Sequence, residues 1–147
     1  MILPRGITGF WGTATAPPPH LDEKAFCQMC YSIAMENGGT VTELDTDTYP
    51  RNFYSAQIRR HDDAVFILQN IHYPYAAFAQ RDGFGGFVLT SQPEWFRLST
   101  GLVHFQSLAE LNQGWHNSCG ELSSEELEQI RYWRAQTIGE IIFNSWD

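Results

Sequence analysis

Asn52-Phe53-Tyr54-Ser55-Ala56-Gln57-Ile58-Arg59 and Ala64-Val65-Phe66-Ile67-Leu68-Gln69 flank the polar stretch Arg60-His61-Asp62-Asp63. Two apolar-rich runs around a short polar turn predict an antiparallel hairpin. In the second run, Val65-Phe66-Ile67-Leu68 is apolar at odd and even positions alike. Successive strand residues face opposite sides, so this strand needs cover on both faces and should lie centrally. A shorter strand over 41–45 precedes the hairpin. After it, Tyr73-Pro74-Tyr75 breaks the run and marks an edge or bend, because proline has no N–H to give a ladder. The glycine-rich turn Arg81-Asp82-Gly83 then leads into a strand over 84–90. Segments 95–98 and 102–105 read as two more strands, joined through Ser99-Thr100-Gly101.

Helices flank this strand-rich middle. Phe26, Met29, Cys30 and Ile33 recur at helical spacing within a helix over 21–37. Asp22 and Glu23 suit its positive N-terminal end, and Asn37-Gly38-Gly39 stops it. In the tail, Ser107-Leu108-Ala109-Glu110 fits a capping box for a short helix. Ser123 with Glu126 fits a second box, with Leu122 and Leu127 placed as a hydrophobic staple for a helix over 124–133. Thr137 and Glu140 repeat the spacing before Ile138, Ile141 and Ile142. Helix, antiparallel strands, then helices, without βαβ alternation, is an α+β pattern. The expected architecture is a mainly antiparallel sheet of about five strands with an N-terminal helix and C-terminal helices packed on it. The chain reads as one domain over 1–147: an irregular arm 1–20, a helix 21–37, a sheet 40–105 and a helical tail 107–147. In the arm, Pro17-Pro18-Pro19 is a stiff extended spacer.

The 147 residues carry 17 acids against 9 bases, a formal charge of -8. That sign disfavours direct binding to phosphate backbones and favours basic partners. Aromatic residues make up 14% of the chain, enough to fill a core and still reach the surface, where rings serve binding patches. No apolar run is long enough to span a bilayer, and Met1-Ile2-Leu3-Pro4-Arg5-Gly6 lacks a signal-peptide core. Three cysteines are too few, and odd in number, for a secreted disulfide framework. The expected compartment is the cytoplasm.

The motifs that carry chemistry each have a plainer reading. Cys27-Gln28-Met29-Cys30 and His116-Asn117-Ser118-Cys119 together hold the donors of a Cys₃His zinc shell. The first pair, however, lies within a helix and lacks the turn that usually presents two thiolates, so no metal site is expected. His61-Asp62-Asp63 and Asp45-Thr46-Asp47 could ligate a metal, but each is read as a solvated turn or loop, which accounts for the same residues without further ligands. Gly83-Phe84-Gly85-Gly86 is followed by neither a lysine nor a helix, which argues against a phosphate loop. No G-x-S-x-G nucleophile elbow occurs. The reading therefore assigns no catalytic residue and no cofactor. Two groups of carboxylates are the candidate partner-binding residues: Asp45, Asp47, Asp62 and Asp63 in the strand region, and Glu125, Glu126 and Glu128 on the tail helix.

The opening Ile2-Leu3-Pro4-Arg5-Gly6-Ile7-Thr8-Gly9-Phe10 resembles the start of a group of small bacterial immunity proteins. Glu126-Leu127-Glu128-Gln129-Ile130-Arg131-Tyr132-Trp133, with Ile138-Gly139-Glu140-Ile141-Ile142-Phe143-Asn144-Ser145-Trp146-Asp147, looks like their ending. That group belongs to polymorphic-toxin and contact-dependent growth inhibition systems. The resemblance implies a protein that binds a cognate toxin domain and blocks its active site; both stretches read as structural, so no functional residue is carried over. The charge argues separately that such a toxin would be basic, as nucleases are. A different class of reading is a small-molecule-binding domain or small enzyme whose pocket is lined by His72, Tyr73, Tyr75 and Trp95.

Overall fold

The computed structural model describes residues 1–12, 16–98, 101 and 103–147. Helix α1 (Glu23–Glu36) is followed by strands β1 (Thr40–Asp45), β2 (Phe53–Arg60), β3 (Asp63–Asn70), β4 (Tyr75–Arg81), β5 (Phe87–Thr90) and β6 (His104–Phe105). Helices α2 (Leu108–Leu111), α3 (Ser124–Trp133) and α4 (Ile138–Ile142) complete the chain. The sheet runs β1-β2-β3-β4-β5, antiparallel throughout, and β6 adds a short parallel pairing to β4 at Tyr75 and Ala76. The fold is α+β.

The central hairpin pairs without a slip from Phe53 opposite Asn70 to Arg60 opposite Asp63. Its turn is therefore His61-Asp62. His61 sits at φ 54°, the positive value that the first central residue of a two-residue hairpin turn needs. Strand β3 is central and covered on both faces. Val65 and Ile67 pack with Phe26, Met29, Cys30 and Ile33 of α1. Phe66 and Leu68 pack on the opposite side with Phe53, and partly buried Phe87 and Phe143 close over them. A neighbouring cluster on that side joins Leu3 and Ile7 of the arm to Leu111, Ile130, Ile138, Ile141 and Ile142 of the tail.

Three strand expectations change. Segment 95–98 is not a strand: Asn37 at the end of α1 accepts from the Arg97 N–H at 2.7 Å and donates to the Arg97 carbonyl at 3.0 Å. The side-chain amide thus takes the place of a strand neighbour. The strand expected over 84–90 starts only at Phe87, because Asp82 Oδ1 accepts from the N–H groups of Phe84 and Gly86 and curls that stretch into a loop. Of the segment 102–105, His104–Phe105 forms β6, while Leu102, like Ser99 and Thr100, lies outside the described residues. Strand β4 follows the bend at Pro74 and was not anticipated beyond it. Its Ala76, Ala77 and Ala79 have weak strand preference but fit a fully buried strand.

The arm has almost no regular structure, yet part of it is buried, so its backbone needs partners. Glu126 is wholly buried and supplies several. Its Oε1 accepts from the Gly6 N–H at 2.9 Å and the Ser123 N–H at 3.1 Å, and its Oε2 from the Thr8 hydroxyl at 2.6 Å and the Thr8 N–H at 3.3 Å. Three buried asparagines continue the pattern. Asn52 and Asn70 both donate to the Ile7 carbonyl, at 2.8 and 3.0 Å. Asn144 donates to the Thr8 carbonyl at 3.1 Å, and its own N–H reaches Asn52 Oδ1 at 2.7 Å. Among the described residues no buried side-chain nitrogen or oxygen lacks a partner.

Three stability outcomes follow from this packing. Glu126→Gln replaces one accepting oxygen by an amine that faces N–H or O–H donors. It should cost about 1–3 kcal/mol for each donor left unpaired, and more than Ser123→Ala, about 0.5–2 kcal/mol for a lost cap. Urea midpoints of the two variants check the order. Ile142 is fully buried and Leu127 only partly, so Ile142→Ala should cost about 2–5 kcal/mol and Leu127→Ala less. Equal midpoints for these two variants would show that the tail does not pack as described. The third outcome concerns His72, buried with Nδ1 2.8 Å from the Pro19 carbonyl. Burial lowers its pKa below the ordinary histidine value, with His20 adding to the effect. The unfolded chain then takes up a proton that the folded ring refuses. This contribution is fully present above about pH 6.5 and declines as pH falls toward the lower folded value. Urea midpoints measured from neutral pH to pH 5 should fall more steeply for the natural protein than for His72→Asn.

Candidate functional site

Strand pairing and one glycine shape a cleft on the tail-covered face of the sheet. Gly139 lets α4 lie close on β5, since a Cβ there would stand 2.6 Å from Leu89 Cδ1 and 3.1 Å from the Leu111 carbonyl. Between α4 and the β4–β5 loop, the sheet face carries an open cleft of about 460 Å³. Phe53, Leu68, Phe87 and Leu89 line it from the sheet, and Phe143 lines it from the residue after α4. The rings meet edge to face: Phe53 to Phe87 at 5.9 Å and Phe53 to Phe143 at 6.0 Å. Guanidinium groups lie over the same floor. Arg51 sits 5.3 Å from the Phe53 centroid, and Arg81 4.9 Å from Phe66 and 4.8 Å from Phe87.

The charged groups lining the cleft also serve the local structure. Arg51 pairs with Asp45 and donates to the Asp47 carbonyl. Asp82 closes the β4–β5 loop, and Glu140 Oε2 accepts from the N–H groups of Gln136 and Thr137 in the capping box of α4. The cleft can therefore bind through an aromatic floor and fixed charges.

Exposed rings surround it. Phe84, at the tip of the β4–β5 loop, is 95% exposed. Gly83 and Gly85 flank Phe84 at φ 84° and 88°, backbone that other residues rarely adopt. On the other side, a hollow of about 260 Å³ shares Glu140, Phe143 and Ser145 with the cleft and is lined by Trp133 and Trp146. Trp133 stacks edge to face with Tyr132, which is 75% exposed.

The candidate carboxylates fall into separate places. Asp62 and Asp63 are exposed at the β2–β3 turn, at the same end of the sheet as the Asp82–Gly86 loop. Asp45 and Asp47 stand at the opposite end, where β1 finishes and Arg51 enters the cleft. Glu125 and Glu128 are exposed on α3, with the Glu125 carboxylate near Gly12 of the arm. Glu126 is enclosed and cannot meet a partner. The signal for this was its position four residues after Leu122 and four before Ile130, on the buried stripe of its helix.

The aromatic pocket expected from His72, Tyr73, Tyr75 and Trp95 does not assemble. Trp95 stands beyond the turn end of the central hairpin, with Arg60 5.8 Å from its ring. His72 and Tyr73 follow the far end of β3 and serve the arm, the Tyr73 hydroxyl donating to the Arg5 carbonyl. The cysteines are likewise apart. Cys30 is buried under α1 on one face of the sheet, where burial pushes its thiol well above the ordinary range. The Cys27 thiol is also raised, first by burial and then by Glu23. Cys119 packs with the tail cluster on the other face, its thiol 3.3 Å from the His116 carbonyl. Among the described residues, no three His, Cys, Asp or Glu side chains gather as a metal shell, and no helix is long and apolar enough to cross a membrane.

No family model matches the chain, and no curated protein or solved structure matches it.

Proposed function

We propose that this chain is an immunity-type inhibitor that acts in the cytoplasm of the producing cell. It binds a basic toxin domain encoded beside it, a nuclease by preference, and occludes the toxin's active site. The observation that carries this reading is the surface around the cleft. Phe84, Tyr132 and Trp133 are exposed there beside Asp82 and Glu140, in a chain of net charge -8. Exposed rings supply contact area at low entropic cost, and carboxylates steer a basic partner toward them. Asp62 and Asp63 extend the acidic field at the loop end of the sheet, and Asp45 and Asp47 at the other. The resemblance of the two chain ends to immunity proteins points the same way.

One observation favours a second reading. A cleft of about 460 Å³ with an aromatic floor is within the size range of small-ligand sites.

Mixing the purified protein with the neighbouring toxin domain and assaying cleavage separates the two. The expected result is a stoichiometric complex and loss of toxin activity. Phe84→Ala should weaken the complex by about 2 kcal/mol, mainly through faster dissociation, as expected for an anchoring ring. Charge reversal of Asp62 and Asp63 to Lys should instead slow association and flatten its salt dependence. If the natural protein neither binds nor protects against that toxin, the inhibitor reading falls and the small-ligand reading takes its place.

A further inference from the structure

We infer that the cleft between α4 and the β4–β5 loop is a receptor for an arginine side chain of the protein partner. This rests on the binding reading above and assigns the chemistry at its centre. The floor is aromatic, and carboxylates line it from two elements, Asp82 from the loop and Glu140 from α4. The sign of the ligand follows from the charges on this face. Of the charged groups that line the cleft, Arg51 is neutralised by Asp45, which leaves the two carboxylates Asp82 and Glu140. Arg51 is engaged by Asp45, and Arg81 lies 3.8 Å from Glu43. Among the described residues, no cation lies within ion-pair reach of Asp82 or Glu140. An anion would meet surplus negative charge here; a cation completes the pairing.

Arginine is favoured over lysine by shape. A guanidinium is flat and weakly hydrated, so it stacks on a ring while its edge forks to a carboxylate. The protein makes this contact with its own residues on the same floor, Arg51 over Phe53 and Arg81 over Phe87. Phe84, 95% exposed on the loop whose Gly85 and Gly86 line the cleft, extends the contact area beyond what one amino acid covers, which assigns the side chain to a protein rather than to free arginine.

The test uses the full chain, isotope-labelled, titrated with Nα-acetyl-arginine methylamide, with the citrulline analogue as a neutral control of the same shape. Arginine should give saturable shifts at Phe87, Gly139 and Phe143, and citrulline should bind about tenfold more weakly. Glu140→Gln and Asp82→Asn should each lower the arginine affinity severalfold at an unchanged melting temperature. Glutamine still serves a capping box and asparagine still closes such a loop, so these variants remove charge and leave the fold. Equal binding of citrulline, shifts confined to the α3 acids Glu125 and Glu128, or affinity unaffected by both variants would each overturn the assignment. Acetate or benzoate saturating the cleft in place of arginine would overturn it too. If the toxin is neutralised and its affinity does not change in either variant, the arginine receptor falls while the inhibitor reading stands. If arginine binds as described but the toxin is not bound, the inhibitor reading falls alone.

Discussion

The interaction on which the rest of this structure depends is the enclosure of Glu126 by the arm. A carboxylate removed from water must find donors, and an irregular buried segment must find acceptors for its N–H groups. Each requirement meets the other at Gly6 and Thr8. Neither partner can leave alone, because departure of the arm would strand Glu126 without most of its donors and expose Leu3 and Ile7. The arm is therefore part of the core. The same lock reaches the cleft through the asparagines. Asn70 binds the Ile142 carbonyl at 2.8 Å, and Asn144 pairs with Asn52 through its N–H and carbonyl. Phe143 lies between these two pinned positions, so its ring is set by hydrogen bonds on either side along the chain.

Local signals were legible in the sequence, and long-range ones were not. The hairpin from Phe53 to Asn70 and the capping boxes at Ser123 and Thr137 rest on residues within a few positions of one another. Short-range chemistry fixes such features almost regardless of context. Strand β4 is the opposite case. Ala76, Ala77 and Ala79 carry no strand signal of their own, and it is β3 on one side, with β5 and β6 on the other, that makes this segment a strand. Segment 95–98 erred the other way: its composition suits a strand, but a side-chain amide 60 positions away claimed its backbone.

The candidate site was the least legible part. Phe53, Phe87 and Phe143 are far apart in the chain, and only the sheet register and the close approach at Gly139 bring them together. Counting charges found the acidity of the surface but not its arrangement. Glu125 and Glu126 are neighbours of one type at the start of one helix, yet one is exposed and the other buried. The helical rotation per residue decides between them, and the apolar periodicity of Leu122 and Ile130 already encoded that rotation.

For the proposed inhibitor function, the arrangement separates two kinds of contact. Asp62 and Asp63 project at a hairpin turn, where solvent screens them and their effect on a bound complex is small. Long-range attraction is what such charges contribute, and it acts before contact. The rings act after it. Phe84 is held on a loop closed by Asp82 and bent at two glycines, so little freedom remains to be lost when a partner covers it. A floppy loop bearing the same ring would bind more weakly for the same area. Under the proposed inhibitor function, these acids would speed an encounter and the preorganised ring would prolong it, with the aromatic cleft between the loop and α4 as the place where the two effects meet.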